Sequence, residues 1–472
     1  MNSVDSCLAS VSWLTSVSCL AGLRAAAARL VGLVIVATVI GLAAPALALP
    51  KVQKVVSPGG VEAWLMELND APVITLRLSF KGGDMQNPEG KYGTGDMTAY
   101  LFNEGAGPFD TLQIHQKLAR IAASFSASSG LEFFSVSFST PSASQEEAFD
   151  LLRLAITEPH FDAEPIERAR TLYTAQIEAA QKSPGSIASM ALTQRIYGKH
   201  PIALDWASRK AGFESVNRAD IEAYRRRVLA RDNLKVAVAG NIDAATLAPL
   251  LDRVFGSLPA KAELQPMPAP DGTGAKCQFL TMNIPQALVG FGAVTPRLTW
   301  RQLLAWTMLE SILDEGVSSG RLSRELREKR GLVYGVGVSY TRYTSFGRFY
   351  GEFAAKMDDV PNALAITWRE LRRMLEEGPT DAELATIKPM MVGRTLLGLD
   401  TGSALASLLL GMQLSEQPTT YLDDIAGEIE SITRQDVWDV AKIVLDPDRL
   451  AIVIAGQPGQ TNLCDMAVAQ AK

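Results

Sequence analysis

The chain has 472 residues, of which 47% are hydrophobic and 20% are charged. This composition excludes disordered and collagen-like proteins, and the length is sufficient for two or three domains. The net charge of −6 offers no basic surface, so we exclude nucleic acids as partners.

The N-terminal segment has the pattern of a secretory signal. Two arginines precede an uncharged run over residues 30–44, and the small-residue sequence Ala-Leu-Ala follows at residues 46–48. This order predicts a signal peptide over residues 1–48 and a periplasmic or secreted protein. An uncleaved membrane anchor is the alternative, because the uncharged stretch reaches Leu49 and roughly 20 apolar residues span a bilayer.

Two of the four cysteines, Cys7 and Cys19, would leave with the signal peptide. The mature chain keeps Cys277 and Cys464, which could form a disulfide in an oxidising compartment. Two unconnected buried thiols explain the sequence equally well, because the sequence gives no distance between them.

The hydrophobic periodicity after the signal predicts strands and helices in an irregular order. We expect strands at residues 62–68 and 73–80, helices at 95–102 and 111–122, a strand at 133–138, and helices at 145–157 and 164–181. The helices cluster between strand pairs and do not alternate regularly with single strands. We therefore predict an α+β fold in which a largely antiparallel sheet is layered with helices.

One segment of the chain occurs twice. Residues 216–240 align with residues 432–456 without a gap, and eight of the 25 positions are identical. Average composition would give roughly one or two identities. Each copy predicts a helix capped by Asn217 or Thr433, then a turn and a short apolar strand that ends at glycine.

The repeat predicts two homologous halves. The first covers residues 49–258 and the second covers residues 275–472. Residues 259–274 are rich in proline and alanine and predict a linker between the halves.

Three segments, together with the duplication, resemble one known family. They are SSGRLSRELREKRGLVYGVGVSY at residues 318–340, IERARTLYTAQIEAA at residues 166–180 and TAYLFNEGAG at residues 98–107. These residues resemble the pitrilysin or insulinase-type (inverzincin) metallopeptidases over nearly all of the chain after the signal. The resemblance implies that both halves have the LuxS/metallopeptidase-like fold of that family.

Active members of this family carry His-x-x-Glu-His on a helix, where two imidazoles hold zinc and the glutamate activates water. The resemblance aligns Asp96, Ala99 and Tyr100 with these three positions, and it aligns Gln176 or its neighbour Ala175 with the distal acidic ligand. Alanine cannot act as a general base, and a phenol with a pKa of about 10 is a poor zinc ligand. We therefore expect neither zinc nor a catalytic residue in this chain.

A substitute metal site is one alternative for this segment. Asp96 and Glu104 would share a helical face if the helix continued that far. Solvated surface carboxylates are the simpler interpretation, because Gly105 is expected to end the helix.

The second half keeps Arg327 and Tyr334, seven residues apart. In the resembled family an Arg and a Tyr at this spacing contact substrate held at the zinc of the first half or of a partner chain. A guanidinium can donate to peptide carbonyls, and a phenol can donate to an oxyanion. Gly331 would end the helix that bears Arg327 and leave Tyr334 at the start of a strand. The alternative is a solvated basic helix face beside a half-buried strand residue.

The strand after Ser126-Ala127-Ser128 occupies the place where the family binds substrate as an added strand. Alternation through residues 133–138 suits an exposed edge of this kind, in which backbone hydrogen bonds give affinity. An ordinary internal strand explains the pattern equally well.

The resemblance thus implies a zinc-less partner subunit of a heteromeric metalloendopeptidase. A homologous zinc-bearing sister chain would hydrolyse unfolded peptides, and this chain would contribute Arg327, Tyr334 and half of the chamber. The alternative is a structural or assembly subunit that resembles the non-catalytic core proteins of respiratory complexes.

Overall fold

The computed structural model describes residues 51–267, 270, 277–314, 320–457 and 463–471. The predicted signal peptide and part of the predicted linker lie outside these ranges. Within them, no helix combines the length and the apolar character needed to cross a bilayer.

The first half is one large sheet, a two-stranded ribbon and the helices packed around them. Its strands are β1 Gln53–Val56, β2 Glu62–Glu67, β3 Val73–Lys81, β4 Gly105–Ala106, β5 Phe109–Asp110, β6 Ser124–Ser129, β7 Phe133–Pro141 and β8 Leu234–Gly240. Its helices are α1 Thr94–Leu101, α2 Thr111–Arg120, α3 Gln145–Thr157, α4 Ala163–Ala180, α5 Pro184–Tyr197, α6 Trp206–Ser215, α7 Arg218–Val228 and α8 Ala244–Phe255. Each strand and helix that we predicted here is present, with ends within three residues of the prediction.

The large sheet of the first half has the strand order β1-β2-β8-β3-β7-β6. Strands β2 and β8 are parallel, and every other neighbouring pair is antiparallel. Alternate residues of a strand point to the same face, and Ile74, Leu76, Leu78 and Phe80 of the central β3 are fully buried. These side chains form one core with the surrounding helices.

The second half repeats this architecture. Its strands are β9 Cys277–Thr281, β10 Ala287–Thr295, β11 Val333–Arg342, β12 Gly347–Ala355 and β13 Ala451–Gly456. Its helices are α9 Trp300–Leu313, α10 Arg321–Ser323, α11 Val360–Glu377, α12 Asp381–Leu397, α13 Gly402–Leu414, α14 Ile425–Ser431, α15 Arg434–Val444 and α16 Leu463–Ala471. Helix α10 continues as a π-helical turn over Arg324–Glu328.

The two large sheets have the same topology. The second sheet has the order β9-β13-β10-β12-β11, which corresponds strand for strand to β2-β8-β3-β7-β6. Its one parallel pair, β9 with β13, corresponds to the parallel pair of the first sheet. The predicted α+β fold, with a largely antiparallel sheet layered with helices in each half, is confirmed.

The repeated sequence has the same local structure in both halves. Asn217 caps α7 and accepts from the backbone N–H of Asp220, whose side chain accepts from the Asn217 N–H in return. Thr433 and Asp436 form the same reciprocal pair at the start of α15. These are capping boxes, in which two otherwise unsatisfied N–H groups are paired, so the two predicted N-caps are confirmed.

The halves exchange helices. Helix α5 belongs to the first half but packs on β10 and β13 of the second sheet, whereas α13 belongs to the second half but packs on β3 and β8 of the first. Gln413 of α13 donates its side-chain amide to the Val236 carbonyl over 2.7 Å. Arg77 of β3 donates to Ser403 over 2.6 Å and to Ser407 over 3.1 Å. Each half therefore covers part of the other's sheet.

Glycines on β10 allow α5 to approach the second sheet closely. A Cβ on Gly290 would lie 3.0 Å from Leu192, and one on Gly292 would lie 2.9 Å from Ile196 and 2.5 Å from the Phe349 carbonyl. Leu192 and Ile196 are buried in this contact. A larger residue at Gly292 would force the helix away from the sheet.

A buried carboxylate joins two hairpins, one from each half. Glu132 lies in the β6–β7 turn and is 5% exposed. It accepts hydrogen bonds from the Thr344 backbone N–H at 2.8 and 2.9 Å and from the Thr344 hydroxyl at 2.6 Å. Thr344 lies in the β11–β12 turn, so the tips of two homologous hairpins are tied together.

Cys277 and Cys464 form a disulfide. The sequence left open whether these residues pair. The bond connects β9 to α16, and α16 also packs on α11. It closes a loop with a sequence separation of 187 residues.

The sequence left two alternatives for residues 133–138, and the structure shows the ordinary internal strand and not the exposed edge. Strand β7, which contains these residues, lies between β3 and β6, and β6 forms the edge of the sheet. The alternation in β7 arises because an internal strand with helices on one side buries alternate residues. The edge is formed by Ser124–Ser129, which includes the Ser-Ala-Ser sequence itself.

Candidate functional site

Helix α1 carries Asp96, Ala99 and Tyr100, which the family resemblance aligns with the zinc-motif positions. Gly93 precedes it with φ +87°, and a Cβ at this position would lie 2.2 Å from the Phe213 ring. The Gly95 N–H donates to the Asn87 side chain over 2.8 Å, which fixes the first turn. The helix ends at Leu101, four residues before Gly105.

Asp96 lies in a buried acidic environment on this helix. Burial raises the pKa of its carboxyl well above the usual range, and the nearby Asp84 carboxyl raises it further. Burial also raises the pKa of Asp84, although the Ser129 hydroxyl donates to it over 2.7 Å. The environment therefore favours the neutral, protonated form of Asp96.

Arg209 is the positive charge that partly offsets these two carboxyls, and its Coulombic attraction lowers the pKa of both. Its own hydrogen bonds go elsewhere. It donates to the carbonyls of Leu204 and Ile202 over 2.9 and 3.0 Å and to the Tyr92 hydroxyl over 3.1 Å. The guanidinium is thus fixed by backbone and phenol oxygens beside the acidic pair.

The other predicted zinc-site positions do not converge on a metal. Ala99 is 3% exposed and has no ligand atom in its side chain. The Tyr100 ring packs edge-on against Tyr173, whose hydroxyl donates to the Asp96 carbonyl over 3.2 Å. Gln176 is exposed on α4.

Zinc does not fit these residues. The position of the catalytic glutamate is apolar, and the position of the second histidine is an aromatic ring packed against another ring. In the part of the chain that the structure describes, no three His, Cys, Asp or Glu residues are grouped so that they could hold a metal ion. We therefore assign no zinc chemistry to this helix.

The alternative pair of Asp96 and Glu104 does not form a metal site either. Helix α1 ends before Glu104, so the two residues do not share a helical face. Glu104 is ion-paired with Arg168 over 2.5 Å and accepts from the Thr111 hydroxyl over 3.2 Å.

Arg327 and Tyr334 are brought together in the second half. Gly331, with φ +61°, ends the helical segment as predicted, and its N–H donates to the Arg327 carbonyl over 2.9 Å. Tyr334 is the second residue of β11, also as predicted, and it is 83% exposed. The Arg327 guanidinium lies 5.5 Å from the centre of the Tyr334 ring, within the range of a cation–π contact.

A buried ion pair anchors the segment that carries Arg327. The Arg321 side chain is 2% exposed and donates to both Glu383 carboxylate oxygens over 2.8 Å. It also donates to the Gly378 carbonyl over 3.0 Å. Burial alone would raise the pKa of Glu383, but the hydrogen bond from Arg321 and those from Thr380 outweigh it and lower the pKa.

Tyr334 stands at an open cleft of about 770 Å³, which we name the β11 cleft. The cleft is lined by the first turns of α5 and by the neighbouring strands β10, β11 and β12. Its lining includes Ser189, Gly290, Asp314, Gly337, Tyr350 and Glu352. Because α5 comes from the first half, the cleft is built by both halves.

Sequence reasoning missed the β11 cleft and its acidic residues. A signal was present, since Gly335 and Gly337 alternate with valines in a predicted strand, and glycine in a strand often marks a place where another group approaches the backbone. Glu352 gave no signal, because a single glutamate in a strand is usually solvated. Whether Arg327 and Tyr334 contact substrate stays a prediction.

The chain matches known families in both halves. Residues 65–208 match the family described as insulinase (peptidase family M16). Residues 215–391 match the family described as peptidase M16 inactive domain.

Two curated relatives and one solved structure are similar to the chain. An uncharacterized zinc protease of Mycobacterium tuberculosis is 25% identical over 67% of this chain and 73% of its own length. A Helicobacter pylori protein described as a non-peptidase homolog is 21% identical over 81% of this chain and 89% of its own length. The structure is a peptidase M16 inactive domain from Pseudomonas fluorescens, with a TM-score of 0.81 and 24% identity over 86% of this chain and 98% of its own.

The structural likeness shows the fold, and the sequence matches cover both halves. The sequence has histidine only at positions 115, 160 and 200, so no His-x-x-Glu-His motif occurs in it. The chain belongs to the insulinase-type peptidase family M16, and it lacks that family's His-x-x-Glu-His motif.

Proposed function

We propose that this chain is the zinc-less partner subunit of a secreted M16 peptidase. A homologous sister chain supplies the zinc and the general base. This chain supplies Arg327, Tyr334 and half of the chamber in which unfolded peptides are cleaved.

One observation carries the proposal. Tyr334 is a large aromatic residue that is 83% exposed, and Arg327 lies against its ring. An exposed tyrosine and an arginine on a rigid strand–helix junction are typical of a binding surface. The buried ion pair of Arg321 with Glu383 anchors the helical segment that carries Arg327.

The residues of α1 support the zinc-less part of the proposal. An alanine in place of the general base and a phenol packed against another ring cannot hold zinc and activate water. In the proposed pair the chemistry comes from the other chain. The name of the Helicobacter pylori relative, a non-peptidase homolog, agrees with this division of roles.

The extracytoplasmic location is part of the proposal. The sequence pattern of residues 1–48 is that of a cleaved signal. The disulfide of Cys277 with Cys464 supports an oxidising compartment, since such bonds are rare in the cytosol. N-terminal sequencing of the protein from fractionated cells tests this point. A mature protein that begins near residue 49 is expected, and an intact N-terminus in the cytoplasmic fraction would contradict it.

The decisive experiment uses the reconstituted pair of this chain and its sister. Arg327→Ala combined with Tyr334→Phe is expected to lower turnover of an unfolded peptide by one hundredfold or more at unchanged assembly, because two transition-state contacts are lost. Arg449→Ala, an exposed arginine elsewhere in the second half, is the control and should leave turnover unchanged.

The alternative is a purely structural or assembly subunit. The same variants would then leave turnover unchanged. Zinc-dependent hydrolysis by this chain alone, free of the sister, would contradict both interpretations.

A further inference from the structure

The floor of the β11 cleft carries one carboxylate with no side chain on either side of it. Glu352 of β12 pairs in register with Gly290 of β10 and with Gly337 of β11. Directly paired residues on neighbouring strands have their side chains on the same face of the sheet. Neither paired position has a side chain, and beside Gly337 the space is open, because a Cβ there would meet only Asp314 at 3.8 Å.

The opposite wall of the cleft is also made of small residues. Gly185, Ala188 and Ser189 from the first turns of α5 line it. The helix meets the sheet on one side of Glu352, where Leu192 lies against Gly290. The space above Glu352 on the Gly337 side remains open, and Leu288 is among the apolar residues that line the cleft.

The charge on Glu352 is not neutralised within the described part of the chain. Its carboxylate accepts a hydrogen bond from the Tyr350 hydroxyl over 2.7 Å, and it has no ion pair among those residues. Asp314 adds a second carboxyl to the lining, and none of the described lining residues is Lys, Arg or His. Arg348 is on the same face of β12, but it stacks on the Tyr350 ring and donates to Thr341 over 3.2 Å.

We propose that the β11 cleft binds the lysine or arginine side chain of an extended peptide, and that Glu352 is the residue that selects it. The inference rests on the proposed function and names the substrate class of the same site. A long unbranched side chain can lie along the open floor beside Gly337, with its methylenes against Leu288 and its charged end at Glu352. The Tyr350 hydroxyl holds the carboxylate in place without neutralising it.

The geometry disfavours other ligands. An acidic peptide would place like charges near Glu352 and Asp314. A purely apolar side chain would cover the Glu352 carboxylate without a hydrogen-bond partner, and that desolvation opposes binding. A basic side chain both satisfies the charge and fills the open space.

Peptide binding by the purified full chain, without the sister, tests the proposal. Two fluorescein-labelled, N-acetylated nonapeptides differ only at the central residue, which is lysine in one and norleucine in the other. Fluorescence anisotropy is expected to show about tenfold tighter binding of the lysine peptide, as for one hydrogen bond between charged groups. An arginine peptide should behave like the lysine peptide.

The variant Glu352→Gln keeps the shape of the side chain and removes its charge. It is expected to abolish the preference for lysine over norleucine. Glu376→Gln, an exposed glutamate on α11, makes the same charge change outside the cleft and should keep the preference. The variant Gly337→Leu fills the floor, since a Cβ there meets only Asp314 at 3.8 Å, and should weaken binding of both peptides.

Three results would overturn the inference. They are equal affinity for the two peptides, a lysine preference that survives in Glu352→Gln, and no binding of any basic peptide up to about 1 mM. The same two peptides can also be measured with a free N-terminus. If the preference for lysine over norleucine then disappears, the cleft binds an α-amino group and not a basic side chain. The proposed function can fail separately, because unchanged turnover in the Arg327 and Tyr334 variants would leave a lysine preference of the isolated chain intact.

Discussion

The buried ion pair of Arg321 and Glu383 offers the sharpest test of how the Arg327 segment is held. Thr380 and Glu383 form a capping box at the start of α12, because Thr380 caps the helix and its N–H donates to the Glu383 carboxylate over 2.7 Å. Glutamine can replace glutamate in a capping box. The substitution Glu383→Gln therefore removes the charge and leaves the cap.

The expected loss follows from the environment of the arginine. Arg321 is 2% exposed, so removal of its partner's charge leaves an uncompensated buried guanidinium. Breaking such a pair costs roughly 3–5 kcal/mol, and the lower end applies because the Glu383 side chain is 25% exposed. We expect the free energy of unfolding to fall by about 3 kcal/mol, measured by urea denaturation at pH 7.

Two further variants make the test specific. Glu376→Gln is exposed and should change the free energy of unfolding by no more than about 0.5 kcal/mol. Arg321→Met combined with Glu383→Gln should recover at least half of the loss, because no unpaired charge remains buried. A loss below about 1 kcal/mol in Glu383→Gln alone would refute the assigned role of the pair.

The contribution of the Arg321–Glu383 ion pair to stability depends on pH in a definite direction. The folded-state pKa of Glu383 is lowered, so the ion pair contributes fully above the ordinary pKa of a glutamate, about 4.3. Its contribution is lost as the pH falls through the folded-state pKa. The difference between the wild type and Glu383→Gln should therefore shrink on acidification below about pH 4 and stay constant from pH 5 to 8.

Three other predictions concern parts of the structure outside this ion pair. Glu132→Gln should lower the free energy of unfolding by roughly 1–2 kcal/mol and speed amide exchange in both hairpin turns, because the bonds to Thr344 lose their charge; unchanged exchange would contradict this. Cys464→Ser should lower stability by roughly 2–4 kcal/mol and expose α16 to proteolysis, as reduction of the wild type should. Asp96→Asn should raise the melting temperature relative to wild type by a margin that grows from pH 5 to 8, because a raised pKa makes ionisation destabilising as the pH rises; a constant margin would show that Asp96 does not titrate as assigned.

Local sequence patterns predicted the elements and their duplication. The eight identities between residues 216–240 and 432–456 include the helix starts and the final glycine, so the repeat was visible without any structure. The capping residues Asn217 and Thr433 mark helix starts because their side chains satisfy N–H groups that the helix leaves free. These features depend only on neighbours within a few residues.

Features that depend on distant contacts were not predicted. Strand β7 is internal because β6 pairs with its outer edge, and the alternation within β7 does not reveal that neighbour. The helix exchange could not be inferred, since the apolar face of α5 does not reveal which sheet it covers. Pairing of Cys277 with Cys464 likewise depends on the packing of α16.

The candidate site also combines features that local sequence predicts with features that depend on distant contacts. The alignment of Asp96, Ala99 and Tyr100 with the zinc-motif positions came from a motif and stays a prediction, because ligand spacing on a helix is a local property. The environment of Asp96 was not predicted, since its charged neighbour Arg209 lies far along the sequence. The glycines on both sides of Glu352 could not be recognised without the register of three strands.

The exchange of α5 and α13 bears on how this protein can be divided or engineered. A fragment cut at the linker would lose the helix that shields its own sheet and would retain one made for the other fragment. Each fully buried apolar side chain uncovered this way, such as Leu192 or Ile196, forfeits roughly 1.5–3 kcal/mol. Separately expressed fragments should therefore aggregate, whereas co-expressed fragments should assemble into a nicked but soluble molecule.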